Sequence, residues 1–273
     1  MKIINLIENT PGAPGCLYEH GLSFYIETKD HKLLVDTGAS DKFIKNAETL
    51  GVNLKAVDTV ILSHGHYDHS GGILAFAEQN GTAKIYLQKT AGEAYYHADP
   101  QEVRYIGIDP EIQSLPQLEW VPGDKKLDEE LELFSGVTGR KLWPKGNLIL
   151  KKKVGETFVQ DEFDHEQYLV ISCDNKKILI SGCAHNGILN ILEAYRQRYQ
   201  NDPDAVISGF HIMKKAGYTE SDIAMIKETA EILKQTDIQF FTGHCTGEVP
   251  YKIMKEILGD QLEWVHSGKC LYF

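Results

Sequence analysis

The chain has 273 residues, 42% hydrophobic and 25% charged, which suits one large α/β domain or two small ones and is ample length to bury a core. Its 28 basic and 39 acidic residues leave a net charge of −11, and no basic cluster exceeds Lys151-Lys152-Lys153, so nucleic acid is not expected as a partner. No run of about 18 apolar residues marks a membrane span, and five scattered cysteines, odd in number, fit a reducing cytoplasm better than a disulfide framework.

In chain order, Met1–Asn9 turns polar too soon for a signal peptide and reads as a first strand. Ser23–Thr28 and Leu33–Gly38 form two strands around the polar turn Lys29-Asp30-His31-Lys32. Asp41–Leu50 follows as a helix, with Phe43, Ile44, Ala47 and Leu50 at helical spacing. Val57–Leu62 is a short buried strand, and Ile73, Leu74, Phe76 and Ala77 open a helix. Between them runs Ser63-His64-Gly65-His66-Tyr67-Asp68-His69-Ser70-Gly71-Gly72. Three imidazoles and a carboxylate within six positions of a strand-to-helix loop can converge on one point. These donors suit zinc, and also iron and manganese. This is a metal site.

Lys84–Leu87 is another strand. Residues 90–155 are less regular, interrupted by Pro100, Pro110, Pro116, Pro122 and Pro144, with short strands at Leu118–Val121, Leu131–Phe134 and Leu148–Leu150. Tyr95-Tyr96-His97 either lines a pocket or caps the core. Gln167–Ser172 and Lys177–Ser181 make a hairpin about Asp174-Asn175, ending in Gly182-Cys183-Ala184-His185. A helix spans Ile188 to about Tyr199. Ala205–His211 and Ile238–His244 are strands that each end in histidine. The helix between them runs from about Ser221, a hydroxyl N-cap, to Gln235. A helix near Val249–Leu258 and a strand at Cys270–Phe273 close the chain.

Ligands in α/β layers gather at strand ends. Four strand ends here deliver His64/His66/Asp68/His69, Cys183/His185, His211 and His244, which points to one shared site. His20 precedes a strand at the expected pocket rim, while His31, His97, His165 and His266 have no comparable setting.

The H-x-H-x-D-H run at His64–His69 and the strand-end Asp36-Thr37-Gly38 resemble the metallo-β-lactamase superfamily. Glu19–Ser23, Ser63–Gly72, Gly182–Asn190, Gly209–His211 and His244–Gly247 are similar to the motifs of a subgroup, some of whose members are described as dihydropterin–ribofuranosylaminobenzene phosphate synthases. The resemblance runs nearly end to end. It implies one α/β domain over residues 1–273, a four-layer αββα sandwich of two mixed sheets with outer helices, carrying an irregular insertion at about 90–155. It also implies one or two divalent metal ions. His64, His66 and a later histidine, best supplied by His185, would hold the first; Asp68, His69 and His244 would hold the second. At the place of the superfamily's bridging aspartate stands Cys183, either a thiolate ligand or a small buried residue.

The expected activity is hydrolysis of an ester, lactone or phosphoester of a small anionic molecule by metal-activated water. Asp68 would ligate and orient the water, and His211 would donate to a phosphate or developing oxyanion without ligating metal. His20 and His211 are the candidate substrate contacts, with Lys214 and Lys215 as positive charge at the cavity mouth. Two alternatives stand beside it: a transferase joining a dihydropterin to a ribofuranosylaminobenzene phosphate, and a metal or redox sensor using Cys183 and Cys245. A homo-oligomer is compatible with the sequence.

Overall fold

Side chains alternate faces along a strand, and here both faces are apolar. In the strand holding Gln167–Cys173, Leu169 and Ile171 enter one buried cluster and Tyr168 and Val170 another. A sheet made of such strands must be covered on both sides, which calls for four layers.

The computed structural model describes residues 1–273 and provides those layers. Its first part runs β1 (Lys2–Ile7), β2 (Ser23–Glu27), β3 (Lys32–Val35), α1 (Lys42–Thr49), β4 (Thr59–Ile61), α2 (Tyr67–Ser70), α3 (Ile73–Gln79) and β5 (Lys84–Gln88). The middle holds β6 (Tyr95–Ala98), β7 (Val103–Tyr105), β8 (Leu118–Val121), β9 (Lys125–Lys126), β10 (Leu131–Ser135), β11 (Leu150–Val154) and β12 (Thr157–Gln160). Then come β13 (Gln167–Cys173), β14 (Lys176–Ser181), α4 (Ile188–Tyr199), β15 (Ala205–Ser208) and α5 (Glu220–Leu233). The chain closes with β16 (Gln239–Thr242), α6 (Glu248–Leu258), β17 (Leu262–Trp264) and β18 (Cys270–Tyr272).

One sheet has the order β18-β1-β2-β3-β4-β5-β8 and the other β17-β16-β15-β14-β13-β10-β9. Each is antiparallel in one half and parallel in the other. Phe24, Ile26, Leu33 and Val35 of the first meet Leu133, Leu169, Ile180 and Ile207 of the second in the central layer. α1 and α3 cover one outer face, α4, α5 and α6 the other. This is the expected αββα sandwich. No helix is long and apolar enough to cross a membrane.

Three details differ from the sequence expectation, one being that Leu148 and Ile149, expected in a strand, lie in a 3-10 turn (Lys145–Ile149) just before β11. The stretch at 90–155 is strand-rich: β8 extends the first sheet, β9 and β10 the second, and β6, β7, β11 and β12 build a third sheet ordered β12-β11-β6-β7. The prolines occupy the connections, where a missing N–H costs no ladder bond. The cap of α5 lies two residues earlier than expected, on Thr219 rather than Ser221. Thr219 Oγ1 accepts from Asp222 N at 3.2 Å and Asp222 Oδ2 accepts from Thr219 N at 3.0 Å, a reciprocal capping box. The hairpin turn falls as expected on Asp174 and Asn175, whose φ values of 50° and 63° match a tight turn of the hairpin hand.

Candidate metal centre

The parallel halves of both sheets release their loops at a common end. β4 leads into His64–His69, β14 into Cys183–His185, β15 into His211 and β16 into His244. At these points the chain turns sharply: Asp36, Ala184, His211 and His244 take φ values of 60°, 54°, 47° and 48°. Such left-handed backbone costs a non-glycine residue on the order of 1 kcal/mol and is held only by firm surroundings. Two glycines allow the close approach. A Cβ on Gly182 would lie 2.1 Å from Ser63 Oγ, and one on Gly209 would lie 2.4 Å from Cys245 Sγ.

One group of donors forms around His69. Its Nε2 lies 3.2 Å from His244 Nε2, 3.2 Å from Cys183 Sγ and 3.8 Å from Asp68 Oδ2, and His244 Nε2 lies 3.4 Å from the same Asp68 oxygen. His69 Nδ1 donates to Asp36 Oδ2 at 2.6 Å, and His244 Nδ1 donates to Asn9 Oδ1 at 2.8 Å. With both Nδ1 atoms engaged, the two Nε2 atoms are turned toward each other, with the Cys183 thiol and the Asp68 carboxylate beside them. Burial opposes the charging of His69, yet Asp36 and Asp68 outweigh it and hold the imidazole up at about 9. Burial likewise pushes Asp68 up, but His69 and His244 hold its carboxyl well below the usual range. The field at this point favours positive charge.

His64, His66 and His185 lie side by side, with ring centroids 4.6, 4.8 and 4.9 Å apart pairwise; the ligand atoms of His64 and His185 form a second group with Cys183, while that of His66 is grouped with Asp161 and His165. Ser63 Oγ donates to Asp36 and accepts from His64 Nδ1 at 2.9 Å; His185 Nδ1 donates to Asn147 Oδ1 at 3.0 Å. That leaves Nε2 of His64 and of His185 buried with no partner, and His66 Nε2 is in the same state. Burial holds His64 and His185 well below the ordinary imidazole value and His66 down at about 3, the latter helped by His165. Neutral, unpaired imidazoles are the form that coordinates metal without displacing a proton. Cys183 belongs to both groups: its Sγ lies within 4.8 Å of ligand atoms of His64 and His185, and equally of His69 and His244. Burial pushes its thiol up, so a cation is what would strip its proton.

Three of the four loops are tied to a buried carboxylate, and the His211 loop is held by Thr246, whose Oγ1 accepts from Phe210 N at 2.9 Å. Asp36 takes Ser63 N and Oγ besides His69. Glu166 takes the N–H groups of His185 and Asn186, and Glu8 takes that of His244. Glu8, Asn9, Asn147 and Glu166 were not legible as site residues in the sequence. The pair Glu8-Asn9 had one usable signal, its place directly after the apolar strand β1.

His165, which looked featureless, is fully buried; Gly65 N donates to its Nδ1 at 2.9 Å and its Nε2 donates to Asp161 Oδ2 at 3.1 Å. Both ring nitrogens are engaged, so it shapes the H-x-H loop, although its ligand atom also falls in one group with those of His66 and Asp161. His97 also proves to be at the site, for it lines the cavity above the two groups. His31, paired with Asp58 and Asp128, and His266 do not.

That cavity measures about 170 Å³. His20 lines it, with Nε2 3.3 Å from Asp68 Oδ2 and Nδ1 accepting from Asn9 Nδ2 at 3.2 Å. His211 lines it too, its ring 4.0 Å from that of His185 and its Nδ1 buried without a partner. Lys214 is a correction: its Nζ sits 2.6 Å from the buried Asp222 carboxylate, and neither it nor Lys215 faces the cavity. The one lysine or arginine on the cavity wall is Arg104.

The fold and this double cluster of histidines define a class. Residues 19–148 match the sequence profile of the metallo-β-lactamase superfamily, and the chain belongs to that superfamily. Membership implies binding of divalent metal. Over 311 aligned positions covering 100% of this chain and 97% of the relative, it is 28% identical to 7,8-dihydropterin-6-methyl-4-(beta-D-ribofuranosyl)-aminobenzene-5'-phosphate synthase of Methanocaldococcus jannaschii. It is 30% identical to an uncharacterized protein of the same organism, with 93% of each chain covered. Among solved structures it is similar to a metal-dependent hydrolase of the beta-lactamase superfamily, with a TM-score of 0.83, 28% identity, and 100% and 99% of the two chains covered. Zn(2+)-bound PqqB from Methylobacterium extorquens shares the fold at a TM-score of 0.61 and 14% identity, with 100% of each chain covered.

Proposed function

We propose that this protein is a metal-dependent hydrolase that cleaves a small anionic ester, lactone or phosphoester. The observation that carries the reading is the pair of Nε2 atoms of His69 and His244, facing each other across 3.2 Å with a thiol and a carboxylate beside them. Two imidazole nitrogens, a sulfur and a carboxylate oxygen gathered in a buried space need positive charge between them, protons or a metal ion, and their convergence within one ion's reach is the arrangement a metal would use. The donors fit zinc best: imidazole, carboxylate and one sulfur, with iron the next choice and manganese less suited to the sulfur. His64, His66 and His185 would hold one ion, Asp68, His69 and His244 the other, and Cys183 would lie between.

When bound, such ions bring the pKa of water toward neutrality and polarise the bond under attack. Asp68 has its Oδ2 turned toward the cavity side shared by His20 and His244, where it can accept a hydrogen bond from the attacking water and orient it. His20, kept in one orientation by Asn9, stands with its Nε2 3.3 Å from that carboxylate, close enough to steady it. His211 offers its ring as a donor to a phosphate oxygen or a developing oxyanion. The five free cysteines support a reducing, cytoplasmic setting.

Metal analysis of the purified protein followed by a screen of phosphodiesters, lactones and pterin diphosphates tests the proposal. Bound zinc or iron with hydrolysis that a chelator abolishes is expected. A protein without tight divalent metal, or turnover indifferent to chelation, defeats it. The full-length relative named a synthase supports a second reading, a transferase joining a dihydropterin to a ribofuranosylaminobenzene phosphate. Product formation that requires two organic substrates would select it.

A further inference from the structure

The third sheet is a wall of the cavity, and its register puts a cation there. His97 of β6 pairs directly with Arg104 of β7 on one side and with Leu150 of β11 on the other. Residues opposite one another on adjacent strands share a face. All three line the cavity whose opposite wall carries Asp68, Cys183 and His185. Their flanking neighbours behave as the alternation requires: Tyr96, Tyr105 and Phe158 cluster on the other face, with ring centroids 5.0–5.4 Å apart. The wall is fixed to the histidine loop, since Tyr67 N donates to Ile106 O at 2.9 Å and the Tyr95 ring packs on His165 at 4.0 Å.

Arg104 is free to bind something. Its guanidinium lies over the Tyr67 ring at 5.5 Å, and its one ionic neighbour is the exposed Glu102, 3.5 Å from Nε. A solvated pair of this kind holds an arginine weakly. His97 is steadier, its Nε2 3.0 Å from Asp99, whose other oxygen takes the N–H groups of Gln101 and Glu102.

We propose that Arg104, backed by His97, is an anchoring subsite for a phosphate or carboxylate group of the substrate that is distinct from the bond being cleaved. This rests on the hydrolase reading and deepens it. On a chain of net charge −11, an arginine on the wall of a histidine-lined cavity is placed for an anion, and its planar fork grips two oxygens at once. At about 170 Å³ the cavity is smaller than the roughly 300–1,000 Å³ that enclose a drug-sized ligand. The anionic group and the scissile bond are therefore close together, and the rest of the substrate leaves through the mouth.

The test measures binding of phenylphosphonate to the zinc-loaded protein by calorimetry, in wild type, Arg104→Gln, Arg104→Lys and the remote control Arg198→Ala. Zinc content is checked in each. Arg104→Gln keeps most of the stem packing on Tyr67 and loses the charge, so affinity should fall at least tenfold with zinc unchanged. Arg104→Lys should recover part of it, and Arg198→Ala should match wild type. In parallel, the KM for p-nitrophenyl hemisuccinate should rise in Arg104→Gln while that for p-nitrophenyl butyrate stays put. Equal phosphonate affinity in wild type and Arg104→Gln, or no binding by wild type, overturns the anchor. Arg104-dependent binding without any turnover would instead count against the hydrolase reading and leave the anchor standing.

Discussion

Asp36 and His69 link the two sheets' shared site to the body of the first sheet: Asp36 Oδ2 accepts from His69 Nδ1 at 2.6 Å, both side chains wholly buried. The same carboxylate takes Ser63 N and Oγ at 2.7 Å, and Ser63 Oγ in turn accepts from His64 Nδ1. One aspartate thus fixes the tautomer and direction of an imidazole in each donor group. Asp36→Ala is expected to lower zinc affinity roughly 10–100-fold, the usual range for losing an orienting partner. A competition titration against a chromophoric chelator measures this, and an affinity equal to wild type would refute the role.

Zinc should also stabilise the fold by mass action, because the donor groups exist only when the strand ends are assembled. At free zinc a hundredfold above its dissociation constant, the gain is about 2.7 kcal/mol. Melting with and without EDTA reads it. His244→Ala, lacking one nitrogen of the group at His69, should bind less zinc and lose most of that difference; an unchanged metal content would remove His244 from the site.

His165 separates shape from ligation. In His165→Ala, the Gly65 N–H and the Asp161 carboxylate lose their buried partner, which costs about 1–3 kcal/mol of stability. Metal stoichiometry should remain that of wild type, whereas His185→Ala should lower it. If His165→Ala loses metal in proportion to His185→Ala, the distinction fails.

His31 offers a pH test away from the metal loops. Burial opposes its charging, but contacts of 2.9 Å to Asp58 and to Asp128 outweigh this and raise its pKa above the ordinary value of 6.5. A raised folded pKa adds stability that is full below the unfolded value and disappears as pH climbs through the folded one. His31→Gln should therefore be more destabilising at pH 5.5 than at pH 8.5, by at most about 1 kcal/mol because the carboxylates are solvated. A difference that grows with pH would reverse the assignment.

The site was legible in the sequence where strand periodicity stopped at a histidine. β4, β14, β15 and β16 are apolar runs whose last residues feed His64, Cys183, His211 and His244, and parallel neighbours bring such ends together. The third sheet was hidden for the opposite reason. β7 is exposed at all three residues, so Val103-Arg104-Tyr105 shows no burial alternation, and the prolines of its connections read as disorder of pattern. Glu8 and Glu166 were hidden because a carboxylate that binds backbone N–H groups has no sequence partner to reveal it. The same limit applied to Ser221 and Thr219, two hydroxyls two positions apart: Asp222, three residues after Thr219, is what selects the earlier cap.

His211 tests the chemistry most directly. It lies on the loop after β15, between the strands that lead into Cys183 and His244, and holds left-handed backbone at φ 47°. Its ring stacks obliquely on His185 at 4.0 Å and its Nδ1 is buried with no partner, so the side chain is aimed at the cavity by packing rather than by a bond that a substrate would have to break. Its ligand atoms also come within 4.8 Å of Cys183 and Cys245, which makes first-hand ligation the rival role. The two roles separate cleanly. If His211 donates to an oxyanion, His211→Ala keeps its zinc and loses turnover by roughly 10²–10³, about 2.7–4 kcal/mol of transition-state stabilisation. Zinc content and kcat measured on the same preparation decide it, and a variant that loses metal along with activity would place His211 among the ligands instead.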